Sequence, residues 1–162
     1  MTAMPAGTEG DGAVQRRFVG NPLIIVGVDG SAASWDAFVW AAGEALRSNG
    51  RIVTVFVTSS VEAGQAISGG ATLAYSAAAD AWKAMTEELA VEVARRADAL
   101  GVEVRFVTGA GDTSRVLTEV ARFEQADLIV VGRSAKMLHR LAGSVSRRLV
   151  LERNGPVIVV VP

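Results

Sequence analysis

The sequence has no cysteine. That removes disulfides, thiol nucleophiles, Cys-ligated zinc and iron–sulfur clusters together. A single histidine, His139, has no second imidazole to share a metal, and no motif orients it as a base, so it is expected as an exposed loop residue. Net charge is −1, so there is no overall excess of positive charge of the kind that binds nucleic acid. Long hydrophobic runs are also missing. Runs such as Val157–Val161 fall far short of a membrane span. The first 17 residues lack the apolar stretch of a signal peptide. The expectation is a soluble, cytoplasmic protein without nucleic-acid or membrane partners.

What is present is a core. Half of the 162 residues are hydrophobic and mean hydropathy is +0.33, ample for one domain. Charge is unevenly spread. Residues 128–162 hold six basic side chains against Glu152, a net +5, and leave −6 for residues 1–127. Such a basic end can attract an anion or form a solvated face.

Periodicity divides the chain. Residues 1–20 read as a flexible tail and 21–162 as the domain. Leu23–Val28 is an apolar run of the kind buried on both faces of a parallel sheet. Asp29–Gly30–Ser31 turns the chain, and Ser34 is a plausible N-cap for a helix to about Asn49. Trp35, Phe38, Val39, Ala42 and Leu46 would form its inner face, with Gly50 just past its end. Ile52–Val57 is strand-like, and 59–71 reads as a glycine-containing loop. A long helix over about 72–100 carries Ala78, Trp82, Met85, Leu89, Val93, Ala97 and Leu100 at helical spacing. Val102–Val107 alternates, as a strand near an edge does. Asp112 suits the N-cap of a helix to Phe123 that buries Val116, Leu117, Val120 and Ala121. Leu128–Val131, a helix over about 144–151 and Val157–Val161 complete the pattern. Trp35 and Trp82 read as packing residues, Trp40 as half-buried, and the adjacent Arg147 and Arg148 as solvent-facing.

Strands and helices alternate throughout, which specifies an α/β fold: a doubly wound five-stranded parallel sheet with helices on both faces. Ligands of such sheets bind beyond the carboxyl ends of the strands. The segments there are Asp29–Ser31, Val57–Ser60 and Gly132–Ser144. The last opens and closes on glycine and runs into a helix, a context that suits an anion. Neither GxxxxGK[ST] nor GxGxxG follows the first strand. Ser68–Gly69–Gly70 follows the second strand and reads as a flexible connection.

From about Leu23 to Pro162 the chain resembles the universal stress proteins. The likeness rests on VDGS (Val28–Ser31), GD (Gly111–Asp112), ADLIVVG (Ala126–Gly132), GSVSRRL (Gly143–Leu149) and PVIVVVP (Pro156–Pro162), in order and at the right spacing. It implies strand order 3-2-1-4-5 and a homodimer formed through the last strand. It implies Asp29 and the backbone of Val57 beside ribose and adenine, and Gly132, Gly143, Ser144 and Val145 beside phosphates and ribose. The ATP-binding branch carries G-x2-G-x9-G-[S/T], which places twelve residues between its first and last glycines. Here ten residues, 133–142, separate Gly132 from Gly143, and Ala135 stands where the middle glycine belongs. The leading expectation is a non-catalytic stress-response protein that acts as a homodimer through partner binding, with a shortened nucleotide loop that need not hold ligand. The alternative is a sensor of ATP or another adenine nucleotide in the strand 1/strand 4 crevice. A slow ATP hydrolase is the third.

Overall fold

The computed structural model describes residues 21–58, 72–133, 145–151 and 155–162, with only the backbone for 72–79. Its elements are β1 (Leu23–Gly27), α1 (Ala32–Ser48), β2 (Arg51–Thr58), α2 (Thr72–Leu100), β3 (Val104–Ala110), α3 (Thr113–Phe123), β4 (Leu128–Gly132), α4 (Val145–Val150) and β5 (Val157–Val161). They form one parallel sheet of order β3-β2-β1-β4-β5, the order implied by the resemblance. Ile24 sits beside Ile52 on one side and Leu128 on the other, which makes β1 the central strand.

Side-chain alternation along the strands sorts the core into two layers. Ile24, Val26, Ile52, Phe56 and Val130 pack under α1 and α2. Leu23, Ile25, Val53, Val55 and Ile129 pack under α3 and α4. Within the first layer Thr54 is fully buried, and its hydroxyl donates to the Arg105 carbonyl at 3.2 Å, so no polar atom is stranded.

Several boundaries and faces differ from expectation. Ser31, not Ser34, caps α1: its φ and ψ are −72° and 156°, and its Oγ accepts the Ser34 N–H at 3.2 Å. Ser34 lies inside the helix, buried, and donates its hydroxyl back to the Ser31 carbonyl at 2.9 Å. Two serines three apart are equivalent to a capping pattern, and only the turn geometry separates them. At the other end Asn49 adopts the left-handed conformation, φ 54°, expected one residue later. The inner face of α1 is Ser34, Ala37, Phe38, Ala41, Ala42 and Ala45. Small alanines let the helix sit close on the sheet, so Val39 and Leu46 are left exposed at its rim. Trp40 is also exposed, at 37 %. Met85 is exposed, whereas Leu89, Val93 and Ala97 fill the α2 stripe. Trp35 and Trp82 pack against the first layer. Trp35 stands edge-on to Phe38, with the Arg96 guanidinium 4.2 Å above its ring.

β3 starts later and ends later than its alternation suggested. Closure of α2, with Val102 N–H on the Ala97 carbonyl and Gly101 at φ 69°, consumes residues 101 and 102. Pairing with the long β2 then carries β3 on to Ala110. On α3, Leu117 and Ala121 are buried as expected, and Val116 and Val120 are half-buried beside them. Ser114 and Thr118 are buried as well, and the Thr118 hydroxyl donates to the Ser114 carbonyl at 2.9 Å.

Candidate functional site

β1 pairs with β2 on one side and β4 on the other, so chain direction across the sheet reverses between β1 and β4. That reversal opens a crevice at the carboxyl ends of the strands, where α/β sheets place their ligands. A cleft of about 260 Å³ lies there.

The β1–α1 turn forms one wall. Asp29 is exposed and its Oδ1 accepts the Ser31 N–H at 2.9 Å, a short-range turn of the kind aspartate makes. Its own N–H meets the buried Ser34 Oγ at 3.3 Å. The turn that presents the carboxylate is therefore tied to the first turn of α1 by two serines.

Val55 and Val57 of β2 and Leu117 of α3 supply an apolar floor. Gly132 closes β4 against α1. A Cβ at this position would lie 2.1 Å from the Ala33 carbonyl oxygen and 2.3 Å from its carbon, so only glycine lets the helix seat here. From the sequence Gly132 reads as a bend towards a phosphate. The close approach of α1 is a second and sufficient reason for it.

The opposite wall comes from α3 and α4. Gly111, at φ 123°, turns the chain after β3, and its N–H bonds the Thr58 carbonyl at 2.8 Å. Asp112 then caps α3: its Oδ1 accepts the Arg115 N–H at 3.1 Å and the Ser114 hydroxyl. Its other oxygen, Oδ2, takes a guanidinium hydrogen bond from Arg148 of α4. The Ser114 hydroxyl, the Arg115 N–H and the Arg148 charge hold the Asp112 carboxyl below the usual carboxylate range. Arg148 is exposed to solvent, as the sequence reads, and from there its guanidinium also reaches the α3 cap.

Of the six residues named from the resemblance, Asp29, Val57, Gly132 and Val145 line this cleft. Gly143 and Ser144 lie outside the described residues, as do His139 and Ser68–Gly70. Sequence reasoning did not name Thr113 and Ser146, which also line the cleft. Thr113 directly follows the GD pair and Ser146 lies within GSVSRRL, but neither motif marks them as cleft residues. Among the described residues no group of three His, Cys, Asp or Glu side chains could hold a metal ion. No helix among them is long and apolar enough to cross a membrane.

The model of the universal stress protein family matches residues 22–161. No curated protein matches the chain. Among solved structures, a universal stress family protein from Burkholderia pseudomallei is similar at TM-score 0.68 and 24 % identity, over 87 % of this chain and 96 % of that one. A universal stress protein in complex with cAMP gives 0.65 and 23 %, over 87 % and 96 %. A family protein from Arabidopsis thaliana with AMP bound gives 0.61 and 20 %, over 87 % and 92 %. At these identities the structural likeness speaks for the fold, and the family match over residues 22–161 speaks for descent: the chain belongs to the universal stress protein family.

Proposed function

We propose that this is a non-catalytic stress-response protein whose strand-end cleft takes an adenine nucleotide. One observation carries the reading. Asp29, Val57, Gly132 and Val145 share a single cleft at the β1/β4 reversal. Val55 and Val57 offer an apolar wall to a base, and the exposed Asp29 carboxylate offers acceptors to ribose hydroxyls. Val145, on the same cleft, follows Gly143 and Ser144 in the sequence, the pair expected beside phosphate. The relatives solved with cAMP and with AMP support the same ligand class. A loop of ten residues offers fewer N–H groups than one of twelve, which favours one phosphate over three. This is the sensor alternative, with a monophosphate preferred to ATP.

The rim acids support a non-catalytic role. Asp29 accepts the Ser31 N–H, and Asp112 is held acidic by its donors. Asp112 is therefore not prepared as a general base near neutral pH. The protein acts as a homodimer through β5 and signals by partner binding. β5 is an edge strand, and Val157 and Val160 are exposed along it.

A thermal-melt titration with AMP, cAMP and magnesium–ATP tests the reading. Ligand at 100 times its Kd adds about 2.7 kcal/mol. That is a rise of roughly 5–10 °C in Tm for a chain of this size. A saturable rise with AMP is expected, together with no release of phosphate from ATP. A flat response to all three at millimolar concentration overturns it. Sedimentation should show a dimer that Val160→Glu converts to monomer. A wild-type monomer at micromolar concentration overturns the dimer.

A further inference from the structure

We infer that Asp112 and Arg148 form a clasp that sets the width of the cleft, which makes both of them positioning residues for the ligand. The inference rests on the nucleotide reading above.

Neither residue lines the cleft, but each stands next to residues that do. Thr113 follows Asp112 and opens α3, while Val145 and Ser146 precede Arg148 in the first turn of α4. The ion pair therefore joins the two helices that carry the wall opposite Asp29. Asp112 is a firm post for it. Its backbone is pinned to the sheet one residue earlier, where Gly111 N–H bonds the last carbonyl of β2, and its side chain is fixed by the α3 cap. α4 needs such a post. It has six residues, well under the length at which a helix holds itself, and of these only Leu149 is fully buried. Leu149 anchors the inner face of α4 and Arg148 anchors its flank.

The chemistry at position 112 points the same way. Capping α3 requires one acceptor oxygen, which asparagine supplies equally well. A carboxylate has a second oxygen and a full charge, and here that second oxygen serves Arg148. The pair is open to water, with side chains 58 % and 45 % exposed, so its loss changes global stability little. Its effect concentrates where the two helices face the ligand. If the clasp holds α4 in the binding-competent position, opening it lowers apparent affinity by the fraction of time the wall is displaced.

The test uses the full chain and AMP as the titrant. Asp112→Asn keeps the cap and removes the charge, Arg148→Met removes the cation, and the double variant closes a cycle. Each single change should weaken AMP binding about two- to fivefold, the span an exposed ion pair allows. The double variant should be no weaker than the worse single. The difference from wild type should shrink between about 0.02 and 0.5 M salt as screening sets in. Hydrogen exchange without ligand should quicken in α4 by a similar factor in both single variants, with Tm nearly unchanged. Equal affinity in wild type and variants, or losses that multiply in the double variant, would overturn the clasp. If the wild type binds no AMP, the nucleotide reading falls and exchange alone decides. Faster exchange in α4 in both variants then keeps the clasp, and unchanged exchange removes it.

Discussion

Gly132→Ala is the substitution whose consequence can be worked most fully from the structure. The added Cβ would sit 2.1 Å from the Ala33 carbonyl oxygen. Ordinary contact begins near 3.4 Å, so the first turn of α1 must retreat by about 1.3 Å. The obstacle is backbone, with no side chain to rotate aside. Nor can α1 slide freely, because Ala37, Phe38 and Ala41 are wholly buried beneath it. Overpacking of this kind costs about 1–3 kcal/mol, and a backbone clash belongs in the upper part, about 2–3 kcal/mol. In a chain of this length that lowers Tm by roughly 5–10 °C. Ser31 and Ala33, which would move, line the cleft, so AMP affinity should fall about tenfold or more. Gly109→Ala is the matched control. Its Cβ would meet the side chain of Val116, nearest at Cγ1 at 2.5 Å, and Gly109 does not line the cleft. A rotamer change in Val116 costs about 0.5–1.5 kcal/mol, with AMP binding intact. Calorimetric melts and AMP titrations of the two variants side by side decide it. The reasoning fails if Gly132→Ala melts within a degree of wild type, or binds AMP equally well.

Other perturbations have equally definite outcomes. Leu117→Ala removes a wholly buried side chain under α3 and should cost about 2–5 kcal/mol in urea unfolding, with AMP affinity lowered because Leu117 floors the cleft. Ser31→Ala removes the α1 cap and should cost about 1 kcal/mol by the same measurement. Hydrogen bonds from Arg95 and then Arg96 lower the Glu92 carboxyl to about 2. A lowered folded pKa means the unfolded chain binds more protons. The Glu92 contribution is therefore complete above the ordinary glutamate range and is lost as pH falls from there toward 2, and Asp112 acts in the same direction. Urea midpoints measured stepwise between neutral pH and pH 2 should show a smaller acid-side fall in Glu92→Gln than in wild type.

Three of the strands were legible because each is a nearly pure apolar run bounded by turn residues, whereas the alternating β3 was placed two residues early. Leu23–Gly27, Leu128–Gly132 and Val157–Val161 end within one residue of the runs Leu23–Val28, Leu128–Val131 and Val157–Val161. Amphipathic faces were harder. Helical spacing admits two stripes on α1, one through Val39 and Leu46 and one through Ala37, Ala41 and Ala45. Hydrophobicity favours the first, whereas close packing on a sheet chooses the second. The capping serine was ambiguous for a similar local reason, since Ser31 and Ser34 bond each other. In the cleft, residues at strand ends were legible because topology fixes where strands end. Thr113, Ser146 and the Asp112–Arg148 pair were not, because they depend on how α3 and α4 approach each other. No periodicity in either segment encodes that approach.

The central claim is that an adenine nucleotide fills the crevice between β1 and β4. A crystal structure of the full chain grown with saturating AMP tests it most directly. The account predicts the base against Val57, the ribose within hydrogen-bond distance of Asp29, and the phosphate beyond Gly132 toward Val145. AMP bound elsewhere on the molecule, or an empty cleft at saturating nucleotide, would contradict it.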